Sequence, residues 1–119
     1  MKTKNFKKEC KRTLAGLKQF PNVDLLHAAM GMSTEANEFL DALKKHMFYG
    51  AKLDHVNLKE ELGDMLWYMA IAMDVLDTDF NKEMERVIKK LRSRYPEKFT
   101  EADALDRDLE EERKVLENE

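Results

Sequence analysis

From Asn22 to Tyr49 the chain runs 28 residues without a proline and with a single glycine, Gly31. Its apolar residues recur at intervals of three and four: Leu25, Leu26, Ala29, Met32, Ala36, Phe39, Leu40, Leu43 and Met47. That period belongs to an α-helix with a wide apolar stripe, whereas a half-buried strand alternates every second residue. A helix of this length spans about 40 Å and must bury its stripe against other elements. No other stretch alternates cleanly, and no repeat of 20–50 residues is visible. The covering elements are therefore helices as well. The expected architecture is all-α, a bundle of four to five helices completed by oligomerisation, because so short a chain has limited capacity to bury several amphipathic helices alone.

Start and stop signals divide the chain. A first helix is expected from about Asn5 to Gln19, with Phe6, Cys10, Leu14 and Leu17 on one face and Pro21 behind it. The second runs from about Asp24 to Tyr49 and closes at Gly50, with Gly31 as a bend or a point of close approach. Asn57, with Glu60 three residues on, reads as the N-cap of a third helix that reaches about Leu76. Thr78 or Asp79 caps a fourth, which ends at Tyr95 before Pro96. Thr100 caps a last helix across Ala102 to Leu116 that docks on a partner surface and frays at its end.

At 119 residues this is one domain, with 22–99 as its core and 101–119 as an acidic C-terminal helix. Residues 1–18 hold seven bases and one acid, and residues 101–119 hold nine acids and three bases. Over the whole chain 24 acids face 21 Lys and Arg, so no global pull toward nucleic acid or an anionic membrane exists. The basic head also lacks the interleaved aromatics of a nucleic-acid platform. Cys10 is the sole cysteine, which excludes an internal disulfide and suits a reducing, cytoplasmic setting. Nothing marks it as a nucleophile. No apolar run follows the basic N-terminus, so no secretory signal is expected, and the apolar run Met65–Met73 is far short of a bilayer span.

Two acid pairs stand out, Glu35-x-x-Glu38 and Glu61-x-x-Asp64. Residues i and i+3 share a helix face, so each pair points two carboxylates the same way. Other pairs at this spacing, such as Asp103/Asp106, sit in solvated stretches. These two adjoin core sequence: the first lies within the striped helix, and the second leads directly into MLWYMAIAM. Carboxylates beside a core cost free energy unless they are paired or bound to a metal. Four carboxylates without cysteine make a hard oxygen site, suited to Mg²⁺ or Mn²⁺ rather than Zn²⁺. A di-iron centre would want Glu-x-x-His pairs, and none of His27, His46 or His55 follows a glutamate by three. Thr34, Glu38, Asp41 and Lys45 each fall within about 40° of His27 around the second helix, a polar stripe. Trp67 and Tyr68 follow Asp64 closely enough to stack on a nucleobase, although core packing explains either alone. Lys90 and Arg94 form a basic i, i+4 pair able to hold phosphates.

In this order and spacing the motifs resemble the MazG-like, all-α nucleoside triphosphate pyrophosphohydrolases. The resemblance rests on GMSTEANEFLDALKKHMFYGAKLD, NLKEELGDMLWYMA, KKLRSRYPEKFT and ALDRDLEEERKVLE, and it covers about residues 22–117. It implies Mg²⁺-dependent cleavage of a nucleoside triphosphate to the monophosphate and pyrophosphate. Glu35, Glu38, Glu61 and Asp64 would be the catalytic metal ligands, Lys90 and Arg94 phosphate contacts, and the assembly a homodimer or homotetramer. Val87 stands where such relatives often carry Asn, three residues before the Lys of KLxxRYP. The substrate-binding set expected from residues and resemblance together is Lys90, Arg94, Trp67, Tyr68, His27 and Lys45; the attacking water is activated by the metal or, alternatively, by a carboxylate general base, for which Glu35 is the choice. The competing expectation is a non-catalytic helical interaction module, motivated by the basic head and acidic tail.

Overall fold

The computed structural model describes residues 1–14 and 22–118, and among them every regular element is a helix. The order is α1 (Thr3–Arg12), α2 (Val23–Tyr49), α3 (His55–Val75), α4 (Phe80–Arg94), α5 (Glu101–Leu105) and α6 (Leu109–Glu117). They form two compact units, Met1–Asp79 and Phe80–Glu119. No helix among the described residues is long and apolar enough to cross a membrane.

In the first unit α2 and α3 make the most extensive pairing, joined by the short connection 50–54. Gly50 ends α2 in the left-handed conformation at φ 69°, where it carries no Cβ penalty, and its N–H donates to the Lys45 carbonyl. α3 begins two residues before the expected cap. Asp54, not Asn57, is its N-cap: the Asp54 carboxylate accepts from Val56 N at 3.0 Å and Asn57 N at 3.2 Å. An ionised acceptor at the positive helix end outcompetes a neutral amide further along, and such a cap contributes about 1 kcal/mol. Ala28, Ala70 and Ile71 are buried. Burying Ile71 stabilises the fold by roughly 1.5–3 kcal/mol.

α1 packs on α3 through the buried Cys10 and a polar seam. Lys7 Nζ donates to the Thr78 carbonyl at 3.0 Å, Lys11 pairs with Asp74 at 3.4 Å, and Trp67 Nε1 donates to Thr13 Oγ1 at 3.1 Å. α1 stops at Arg12, where the Thr13 hydroxyl donates to the Cys10 carbonyl at 3.0 Å and closes the last turn. The expected continuation through Leu17, Lys18 and Gln19 to Pro21 lies outside the described residues. Burial holds the Cys10 thiol above its ordinary pKa, helped by the nearby Glu9 charge, which disfavours the thiolate a nucleophile needs.

The second unit pairs α4 with α6. The single C-terminal helix expected across Ala102–Leu116 is two helices. Thr100 caps α5 as expected, accepting from Asp103 N at 3.1 Å. The chain breaks at 106–108, and Asp108 starts α6 by accepting from Glu111 N at 3.0 Å. Aspartate competes for backbone hydrogens in this way, which makes it a poor interior residue and a good cap. Glu110, Glu111 and Glu112 then occupy the first turn, where the helix dipole favours acids.

Glu112 is the one buried residue of this unit among those described. Arg94 donates to it twice, through Nε at 2.7 Å and Nη2 at 3.1 Å, and Arg107 does so through Nη2 at 2.6 Å. The Arg94 hydrogen bonds foremost, then those from Arg107, hold the Glu112 carboxyl down to about 2, and the same pairing raises the Arg94 pKa. A guanidinium of Arg86 donates to the Leu116 carbonyl, satisfying one of the open acceptors at the end of α6.

Candidate active site

Glu35 and Glu38 lie one turn apart on α2, and Glu61 lies in the second turn of α3. The α2–α3 pairing brings the three together: each offers one carboxylate oxygen, and these oxygens lie within 4.8 Å of one another. Glu61 is only 6% exposed. Like charges this close oppose full ionisation. The Glu38 carboxyl is raised above its ordinary pKa by a carboxyl hydrogen bond with Glu61 and then by that residue's charge. Glu61 is raised by its hydrogen bond with Glu35 and then by burial. Even so, Glu35 Oε2 and Glu61 Oε2 are buried without a hydrogen-bond partner. Orphaned buried acceptors are costly, and two of them beside a third carboxylate are the donor set of a hard divalent cation. The residues present therefore fit Mg²⁺ or Mn²⁺.

Asp64, the fourth expected ligand, is exposed and stands outside this trio. Its charge still contributes to raising Glu38 and Glu61. It borders a cavity of about 360 Å³ together with Glu35, Trp67 and Tyr68. The two aromatic rings meet edge to face at 5.0 Å and 85°, and His27 packs against Tyr68 at 5.8 Å and 70°. Gly31 is the point of close approach. A Cβ added there would fall 2.1–2.3 Å from three carbons of the Tyr68 ring, so the ring seats only on a bare backbone. One turn on, Thr34 Oγ1 donates to the Gly31 carbonyl at 3.1 Å.

A second cavity, of about 560 Å³, is bordered by Glu38 and Glu61. Lys45 lines it, paired with Asp41 at 2.8 Å, while Lys44 pairs with the same aspartate at 3.4 Å. These contacts lower the Asp41 pKa and raise that of Lys45. Asn37 and Lys52, which the sequence did not single out, also line it, as does Asn57, which the sequence marked only as a cap. Lys52 lies in the 50–54 connection, where no periodicity marks a face. Lys90 and Arg94 belong to the second unit, with Lys90 half-buried on α4 and Arg94 gripped by Glu112. Glu112 was hidden among nine acids of the tail, and only the fold shows it to be buried.

A family model described as the MazG nucleotide pyrophosphohydrolase domain matches residues 26–99. That span contains both acid pairs, both aromatics, Lys45, Lys90 and Arg94. No curated protein and no solved structure matches the chain significantly. With more than half of its length matched, and with Glu35, Glu38 and Glu61 of the two helices meeting inside the match, the chain belongs to the MazG nucleotide pyrophosphohydrolase family.

Proposed function

We propose that this chain is a Mg²⁺-dependent nucleoside triphosphate pyrophosphohydrolase, converting an NTP or dNTP and water to the monophosphate and pyrophosphate. The observation that carries the reading is the trio Glu35, Glu38 and Glu61 with two unpartnered buried oxygens. Glu35, Glu38 and Glu61, joined by Asp64, would hold the cation, with Mn²⁺ as a substitute. When bound, such an ion offsets triphosphate charge and lowers the pKa of water. Glu35 borders the aromatic cavity, and Glu38 and Glu61 border the other. Glu35 is the assigned general base, taking the proton of the water that attacks the α-phosphorus. The new bond joins the water oxygen to that phosphorus, and the bond to the bridging oxygen breaks to release pyrophosphate. Trp67, Tyr68 and His27 supply the stacking surface for the base. Lys90 and Arg94 are assigned to phosphate on the strength of the family motif alone.

Self-association as a homodimer or homotetramer belongs to the same reading. Leu26, Met30, Leu40 and Met47 lie on one side of α2 and are each more than half exposed. Light scattering at micromolar concentration should report a multimer, and a stable monomer would contradict this. Activity is tested with a panel of NTPs and dNTPs and identification of products. Monophosphate and pyrophosphate should appear in equal amounts and only with a divalent cation. Orthophosphate as the first product, or full activity in Glu38→Ala or Asp64→Ala, would refute the assignment. No heat with Mn²⁺ or with a non-hydrolysable nucleotide would favour the interaction module instead.

A further inference from the structure

The carboxylate trio has two chemically unlike neighbours. Glu35 faces the cavity of Trp67 and Tyr68, whereas Glu38 and Glu61 face the cavity of Asn37, Lys45, Lys52 and Asn57. Both volumes lie within the range of small-ligand sites. One wall is aromatic, and the other offers ammonium and amide donors. A nucleoside triphosphate has the same asymmetry about its α-phosphorus, with a flat base on one side and two charged phosphates on the other. We infer that the substrate lies across the trio in a single direction, with its β- and γ-phosphates in the cavity of Lys45, Lys52, Asn37 and Asn57. This rests on the pyrophosphohydrolase reading and adds a phosphate-tail site built within the α2–α3 unit, separate from the basic pair on α4.

Four carboxylates also border that cavity: Glu38, Asp41, Asp54 and Glu61. Asp41 is held by two lysines, and Asp54 is engaged in capping α3. Glu38 and Glu61 belong to the cation site. Lys52 has no ion-pair partner among the described residues, so its charge is the one left for a ligand. Pyrophosphate should therefore enter only after the cation has offset Glu38 and Glu61. Lys52 is exposed in the connection between helices, so replacing it leaves the core intact.

The test is calorimetric titration of pyrophosphate, and separately of nucleoside monophosphate, into the full chain with saturating Mn²⁺. Lys52→Met should weaken pyrophosphate binding about tenfold, the scale of one charge-assisted hydrogen bond, and leave monophosphate and Mn²⁺ binding within about twofold. Lys52→Arg should restore most of the loss. Lys59→Met, which removes an exposed α3 lysine outside the cavity, should match the wild type. A chain that releases monophosphate and pyrophosphate while Lys52→Met binds pyrophosphate like wild type overturns the direction alone. So does an equal loss for both products. A wild-type chain that binds no pyrophosphate with Mn²⁺ overturns the direction and the pyrophosphohydrolase reading together.

Discussion

Gly31→Ala sets two effects of known sign against each other. In the interior of an exposed helix, alanine is worth about 1 kcal/mol over glycine. Here the added methyl would lie 2.1–2.3 Å from the Tyr68 ring, where carbon atoms at rest sit about 3.5–4.0 Å apart. The ring has to move by more than an ångström, and overpacking of that kind costs roughly 1–3 kcal/mol. The net expectation is a chain destabilised by up to about 2 kcal/mol, with its aromatic shelf displaced. In a Tyr68→Ala background the methyl meets no ring, so the same substitution should stabilise by up to about 1 kcal/mol. Urea unfolding of the four proteins closes the cycle, and the coupling between positions 31 and 68 should be about 1–3 kcal/mol. In the intact chain kcat/KM should fall while Mn²⁺ affinity stays unchanged, because the carboxylate trio is not touched. If Gly31→Ala stabilises the wild-type chain as much as it does the Tyr68→Ala chain, the close-approach argument is wrong.

Glu61→Gln should raise the melting temperature of the cation-free protein by relieving repulsion, and should weaken Mn²⁺ binding by more than about tenfold, both readable by thermal shift. Because Glu38 and Glu61 hold protons more tightly when folded than when unfolded, cation-free stability should fall as pH rises through the carboxylate range, and saturating Mn²⁺ should cancel the slope. Glu112 has the opposite sign: with its carboxyl near 2 in the fold, its contribution is complete above the ordinary glutamate value and is lost as pH falls toward 2. Acid unfolding followed by circular dichroism should accordingly be less steep in Glu112→Gln than in wild type over that window. Trp67 fluorescence should respond to nucleoside monophosphate but not to pyrophosphate, and the reverse pattern would move the base to the other cavity.

The long periodic stretch made α2 legible to within a residue, since Gly50 and the glycine-poor, proline-free run leave little choice. The meeting of Glu35, Glu38 and Glu61 follows from the same periodicity, since helical spacing fixes the face; Asp64, at the same spacing from Glu61, nonetheless lies exposed outside the trio. Caps were less legible. Asp54 and Asn57 are both acceptable N-caps by type, and the choice depends on where the connection from Gly50 delivers the chain. The break at 106–108 was invisible because Leu105, Leu109 and Leu116 keep a helical rhythm across it. Phase alone does not show that Asp108 turns its carboxylate back on the backbone. Asn37 and Lys52 come into view only once two helices enclose a cavity, and Glu112 only once α6 lies on α4.

The family match ends at Phe99, yet the carboxylate that neutralises Arg94 sits at position 112. The physical edge of the second unit thus lies beyond the edge drawn by shared sequence. A chain cut after Phe99 would leave the Arg94 guanidinium, now 16% exposed, without its bidentate counter-ion, and α4 without its packing partner. Such a fragment would keep every candidate site residue and lose the scaffold that orients one of them. Transplanting this domain onto another protein therefore requires carrying α6 along with it.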